Sequence, residues 1–164
     1  MAAQDQDPAL VARRAGLKML ARRPLTEAEL RDRLLERGHD PDGIEDALAW
    51  LVDERLVDDR RLAEEFIATR AERLGHGRER LLRELAGRGV ERAAAAAAWS
   101  MLVEAGDLSE EAIRRRKVAA LVAREGGRLD RPAYRRVYNA LLRAGFDAST
   151  IVAELGPHRE FPEE

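Results

Sequence analysis

A chain of 164 residues with 45% apolar, 37% charged and only 4% aromatic side chains has enough apolar mass for packed cores, built from Leu, Ala, Val and Ile in thin layers. Such composition favours amphipathic helices. The absence of cysteine excludes a disulfide framework and any thiolate metal site, and no apolar run approaches the roughly 20 residues needed to span a bilayer. A formal net charge of −2 argues against tight, unaided DNA binding, which needs a basic domain.

Residues 1–7 are polar, lack the basic and apolar regions of a secretory signal, and read as a disordered start of a cytoplasmic protein. A first helix is predicted over residues 8–22, with Leu10, Leu17 and Leu20 on one side and Pro24 beyond its end. Thr26 and Glu29 then form a capping box that opens a helix ending at Gly38. Asp40 followed by Pro41 starts a third helix, whose face carries Ile44, Leu48, Leu51 and Val52. Leu56 and Val57 turn a tight apolar corner into Asp58 and Asp59, where an aspartate accepts free N–H groups of the next helix and suits its positive end. That helix carries Leu62, Ala63, Phe66 and Ile67 in the same rhythm, so Asp58, Asp59, Leu62 and Phe66 form a structural junction.

Beyond it, Gly75-His76-Gly77 reads as a flexible connector rather than a phosphate cradle, since a lone Gly-x-Gly before a helix is a weak signal. Helices follow over residues 78–87 and 91–104, the second with alanine at every position from 93 to 98. Ser109 caps the next helix, with Glu110 and Glu111 in its first turn and a thin stripe of Ile113, Ala120 and Leu121. Gly126-Gly127 stops it, and Asp130 with Pro132 begins another, whose apolar face is Tyr134, Val137, Tyr138, Leu141 and Leu142. Asp147 opens a short helix to Leu155, and residues 157–164 read as a disordered acidic tail.

Setting the second helices on their glycines exposes a repeat: Leu30-Leu34-Gly38, Leu81-Leu85-Gly89 and Val137-Leu141-Gly145 share a spacing of four and four. Six residues past each glycine stand Ile44, Ala95 and Ile151, and ten past stand Leu48, Trp99 and Leu155. The expected fold is therefore all-α, with three tandem three-helix repeats over residues 8–57, 58–106 and 107–156 stacked in an elongated, curved array.

His39, His76 and His158 are scattered, and no catalytic, cofactor or metal constellation has local context. Trp50 and Trp99, at helical spacing with leucines, read as core. Residues 107–146 hold 10 basic against 5 acidic side chains, and their densest run is Arg114-Arg115-Arg116-Lys117. Two readings of that run stand side by side: a solvated face paired at i,i+4 with Glu110 and Glu111, or a patch that meets phosphates or acidic protein faces. Under the second, replacing all four with Ala leaves the fold intact and weakens binding.

The segments Ala21-Arg22-Arg23-Pro24-Leu25-Thr26-Glu27-Ala28-Glu29-Leu30, Leu56-Val57-Asp58-Asp59-Arg60-Arg61-Leu62-Ala63 with Phe66 and Arg70, and Gly75-His76-Gly77 leading to Leu85 and Gly89-Val90 resemble the RecX family of bacterial regulatory proteins. The resemblance covers residues 8–155 and is strongest in the middle repeat. It implies a non-enzymatic protein, without cofactor or metal, that binds the RecA recombinase as a filament on single-stranded DNA and negatively modulates recombination and ATP hydrolysis. The chain is further expected to be a cytoplasmic monomer that meets no membrane and, being slightly acidic as a whole, touches single-stranded DNA only weakly. The candidate partner-binding residues are Arg60, Arg61, Arg70, Arg114, Arg115, Arg116, Lys117, Arg135, Arg136 and Arg143. Two other classes remain open: a direct DNA binder of the helix-turn-helix or winged-helix kind over residues 26–57, which next requires a β-hairpin wing, and a helical-repeat scaffold for another partner.

Overall fold

The structure, a computed structural model, describes residues 7–162, so the expectations for residues 1–6 and 163–164 lie outside the described residues. Among the described residues there are nine α-helices and no strand: α1 Pro8–Leu20, α2 Glu27–Glu36, α3 Pro41–Asp53, α4 Asp59–Leu74, α5 Arg78–Ala86, α6 Arg92–Glu104, α7 Glu110–Arg124, α8 Arg131–Ala144 and α9 Ala148–Leu155. They divide into two compact units. One comprises Met1–Glu65 and Leu85–Ala95, the other Phe66–Glu84 and Ala96–Glu164.

Side-chain caps start the helices where the sequence places them. Asp7, Asp40, Asp130 and Asp147 each accept a backbone N–H of the first turn, and Thr26 with Glu29 forms the complete capping box. The residue expected to be frayed, Asp7, is thus the N-cap of α1. The expected loose tail is also ordered through residue 162. A 3-10 turn, Gly156–His158, brings the chain back so that the Leu129 N–H donates to the His158 carbonyl at 2.8 Å and the Glu160 N–H to the Leu129 carbonyl at 3.0 Å.

The repeat register is borne out position by position. Leu30, Leu34, Leu81, Leu85, Val137 and Leu141 are all buried, as are Ile44, Ala95 and Ile151 six past the glycines and Leu48, Trp99 and Leu155 ten past them. Each fully buried leucine stabilises its unit by about 1.5–3 kcal/mol. Gly38, Gly89 and Gly145 all have positive φ, at 77°, 85° and 96°. That conformation turns the next residue back, so His39, Val90 and Phe146 donate to the carbonyls of Leu34, Leu85 and Leu141 in the same way in all three copies.

The ends of these helices are joined by a second shared device. In the first unit the Thr26 hydroxyl, at the start of α2, donates to the Arg88 carbonyl just past α5 at 2.6 Å. In the second unit the Gly77 N–H, at the start of α5, donates to the Ala144 carbonyl at the end of α8 at 2.7 Å. Gly77 stands 51 residues after Thr26, the offset between the first two repeats, so a backbone donor replaces a hydroxyl at the same place.

Several faces differ from expectation because small residues allow close approach. On α1 the buried positions are Ala12, Gly16 and Met19, while Leu17 is exposed. A Cβ on Gly16 would stand 3.1 Å from a Leu51 methyl, so α3 lies against the small residues of α1 rather than on its leucines. On α7 the buried residues are Ile113, Val118 and Val122, with Ala120 exposed. On α8 the core face is Ala133, Val137, Leu141 and Ala144, which leaves Leu142 exposed and both tyrosines half-buried. Trp99 is buried, while Trp50 is half-buried beneath the Arg13 guanidinium, 4.2 Å from the ring centroid.

Among the described residues, Arg55 is the only non-glycine with positive φ, at 55°. It ends α3 as Gly106, φ 78°, ends α6 one repeat later. An L side chain there costs about 1–2 kcal/mol, against about 0.5–1 kcal/mol for the freedom a glycine loses on folding. Arg55→Gly is therefore expected to raise stability by about 0.5–1 kcal/mol, visible as a higher urea midpoint with unchanged slope.

Candidate functional site

The two junction aspartates do different work. Asp58 accepts the Arg61 N–H at 2.9 Å and caps α4, its own helix. Asp59 instead accepts the Glu27 N–H at 2.9 Å, so it completes the N-terminus of α2, 32 residues earlier. Burial pushes its carboxyl above the usual aspartate range, and the Glu27 N–H opposes that shift. Leu62 is buried, but Phe66 is only half-buried, with the Arg70 guanidinium 4.4 Å from its ring centroid.

Of the α4 cations, Arg60 and Arg61 are exposed and reach forward to Glu64 at 3.1 Å and Glu65 at 3.0 Å. Arg70 bonds Glu84 of α5 at 3.1 Å. The exposed i,i+4 pairs of Arg60 and Arg61 contribute only about 0.3–0.5 kcal/mol each.

The run at Arg114 to Lys117 does not act as one patch. Arg115 makes the expected pair with Glu111, at 2.6 Å. Arg114 passes over Glu110 and meets Glu154 of α9 at 3.2 Å, both side chains being about four-fifths covered, with exposures of 18% and 23%. Burial raises the carboxyl of Glu110 above the usual glutamate range, while Arg114 and Arg78 act to lower it. Arg116 donates to the Glu72 carbonyl at 2.8 Å and Lys117 to the Leu74 carbonyl at 2.8 Å, so two consecutive cations of α7 cap the C-terminal carbonyls of α4. On α8, Arg136 forks onto Glu125 at 2.6 and 3.2 Å. Arg135 and Arg143 are exposed and make no ion pair among the described residues.

The Gly75-His76-Gly77 segment is locked rather than flexible. All three residues are buried, and a Cβ on Gly77 would stand 2.9 Å from the Gly145 carbonyl oxygen. His76 lies 3.6 Å from Glu84, its Nδ1 has no hydrogen-bond partner, and burial lowers its pKa below the usual histidine range. Among the described residues no three His, Asp or Glu side chains come together as a metal-binding group, and no helix is long and apolar enough to cross a membrane.

Two groupings were not anticipated. One is the forked pair of Arg88 with Glu29, at 2.9 and 3.0 Å, which ties the capping box of α2 to the end of α5. It holds the Glu29 carboxylate below the usual range against an opposing effect of burial. The other is an Arg and aromatic cluster at α8, whose Arg131, Tyr134, Arg135 and Tyr138 spacing is visible in the sequence once the tyrosines are removed from the core face.

Residues 12–51 match the family description "RecX, first three-helix domain" and residues 58–98 match "RecX, second three-helix domain". The regulatory protein RecX of Halorhodospira halophila is 46% identical over 78 residues, which are 48% of this chain and 48% of that protein. The matched stretch thus spans about half the length of that relative. The regulatory protein RecX of Corynebacterium efficiens is 37% identical over 142 residues, covering 83% of this chain and 66% of that one. The crystal structure of RecX from Lactobacillus salivarius superimposes with a TM-score of 0.78 at 20% identity, over 92% of this chain and 96% of that chain, a likeness of fold. The helix after Val57 leaves no room for the wing of a winged-helix protein, and the two matched domains fall on the first two copies of the repeat. This chain belongs to the RecX family.

Proposed function

We propose that the chain binds RecA assembled on single-stranded DNA and lowers its strand exchange and ATP hydrolysis, acting in the cytoplasm as a monomer without catalysis of its own. The observation that carries this reading is membership of the RecX family, whose relatives bear the name regulatory protein; RecA as the partner is what the resemblance of the sequence to that family implies. Charge supports it: residues 107–146 hold 10 basic against 5 acidic side chains in a chain whose net charge is −2. A local excess of basic side chains in an acidic whole suits a partner that offers both phosphates and protein faces better than bare DNA. The repeat boundaries at residues 57 and 106 are part of the same proposal, as is the set of arginines that would touch the partner.

The test is a titration of the full chain into RecA ATPase and strand-exchange reactions on single-stranded DNA. Both rates are expected to fall with added chain, and the Arg136→Ala/Arg143→Ala variant is expected to need several-fold more protein while melting like the parent. Its binding to the filament should also depend less steeply on salt, by about 0.7–0.9 of a unit of slope for each phosphate it no longer neutralises. RecA rates unchanged at stoichiometric excess of the parent chain would overturn the reading and leave a helical scaffold for another partner.

A further inference from the structure

The outer flank of α8 carries, beside Arg135, an aromatic cluster that the RecA reading leaves without a role. Tyr134, Arg135, Tyr138 and Asn139, with Val152 of α9, line a groove of about 360 Å³ that contains no carboxylate. The two tyrosine rings are stacked, with centroids 6.2 Å apart and planes at 14°. Phe161 holds Tyr134 edge-on, at 5.4 Å and 85°, and the guanidinium groups of Arg131 and Arg159 stand over the Phe161 ring at 5.3 and 5.7 Å. Both tyrosines of the chain are in this one groove, half-buried rather than sunk in the core.

Each component selects the same occupant. Half-exposed rings held by a neighbouring ring offer π-faces at low entropic cost, and every nucleobase has a face to lay on them. The exposed Arg135 supplies a charge for phosphate or a plane for stacking, and the Asn139 amide both donates and accepts at a base edge. An apolar peptide would leave that amide and guanidinium unpaired, and a basic peptide would find no carboxylate in the lining. We propose that this flank of α8 is a stacking site for unpaired bases of single-stranded DNA. The site deepens the function proposed above and rests on it for the choice of DNA as the strand.

Two fluorescent oligonucleotides of equal length and phosphate number test it at low ionic strength, one of thymidine and one of abasic tetrahydrofuran units, each titrated by anisotropy. The parent chain is expected to bind the thymidine strand about tenfold more tightly than the abasic strand. Tyr138→Ala is expected to abolish that preference while still melting cooperatively above the assay temperature, and Tyr138→Phe, which keeps the ring, to retain it, so the melting curve of the alanine variant separates loss of fold from loss of stacking. A parent chain indifferent to the bases, or an alanine variant that keeps the preference, overturns the site. RecA ATPase assays run beside these titrations keep the two ideas apart. Inhibition without base preference sinks the stacking site alone, and base preference without inhibition sinks the RecA reading alone. Should Tyr138→Ala lose inhibition while the parent shows no base preference, the flank is a protein-binding face and the nucleic-acid site is overturned.

Discussion

Gly145→Ala is expected to lower stability by about 2–4 kcal/mol, far more than the same change at Gly38, although the two glycines occupy one position of the repeat. Both have positive φ, 96° and 77°, so both variants bear a backbone strain of about 1 kcal/mol. Their surroundings differ. A Cβ at Gly38 meets nothing within 4 Å, whereas at Gly145 it would stand 2.6 Å from the Arg80 nitrogen and 2.7 Å from the Arg80 Cβ. That backbone has little freedom to retreat, because the adjacent Gly77 N–H is bonded to the Ala144 carbonyl at 2.7 Å. Overpacking of this kind adds about 1–3 kcal/mol. Gly89→Ala belongs with Gly145, since its Cβ would fall 2.3 Å from that of Ala28. Urea or thermal melting of the three variants checks the order. Equal losses at Gly38 and Gly145 would show that the close approach of the helix ends is not a source of stability.

The second helices were legible because leucine at four-residue spacing followed by glycine constrains both a buried face and a left-handed turn. The capping residues were legible for a similar reason, each acting within three residues of itself. What escaped was whatever depends on a neighbour distant in sequence. Nothing near Asp59 shows that its partner is the Glu27 N–H, and nothing near Arg114 shows that Glu154, 40 residues on, wins over Glu110 one turn away. Leucine was also the wrong guide on α1, because Ala12 and Gly16 let α3 approach more closely than Leu17 does. The groove at α8 was hidden by the same habit, which put Tyr134, Tyr138 and Leu142 into a core that Ala133 and Ala144 fill.

Replacing Arg114, Arg115, Arg116 and Lys117 together by alanine is expected to destabilise the chain by about 2–4 kcal/mol, contrary to the expectation of an intact fold for a patch that meets phosphates or acidic protein faces. Arg115 contributes little to this, since an exposed side chain paired along its own helix moves stability by less than about 0.5 kcal/mol. Losing Arg114 strands the mostly covered Glu154 carboxylate, a cost of about 1–2 kcal/mol, below that of a fully buried charge. Losing Arg116 and Lys117 uncaps the Glu72 and Leu74 carbonyls at the end of α4, with about 0.3–1 kcal/mol for each cation at a helix C-terminus. The Lys117 stem also packs beneath Gly75, where a Cβ would stand 2.9 Å from the lysine Cδ, so its removal opens a gap beside the locked Gly75-His76-Gly77 turn. Melting curves of the four single variants and the quadruple decide the matter. Arg115→Ala should melt like the parent, Arg114→Ala should show the largest single loss, and the quadruple should lie below all of them. A quadruple variant with the parent's melting temperature would return the cluster to solvent, and only then would its effect on RecA report on binding rather than on folding.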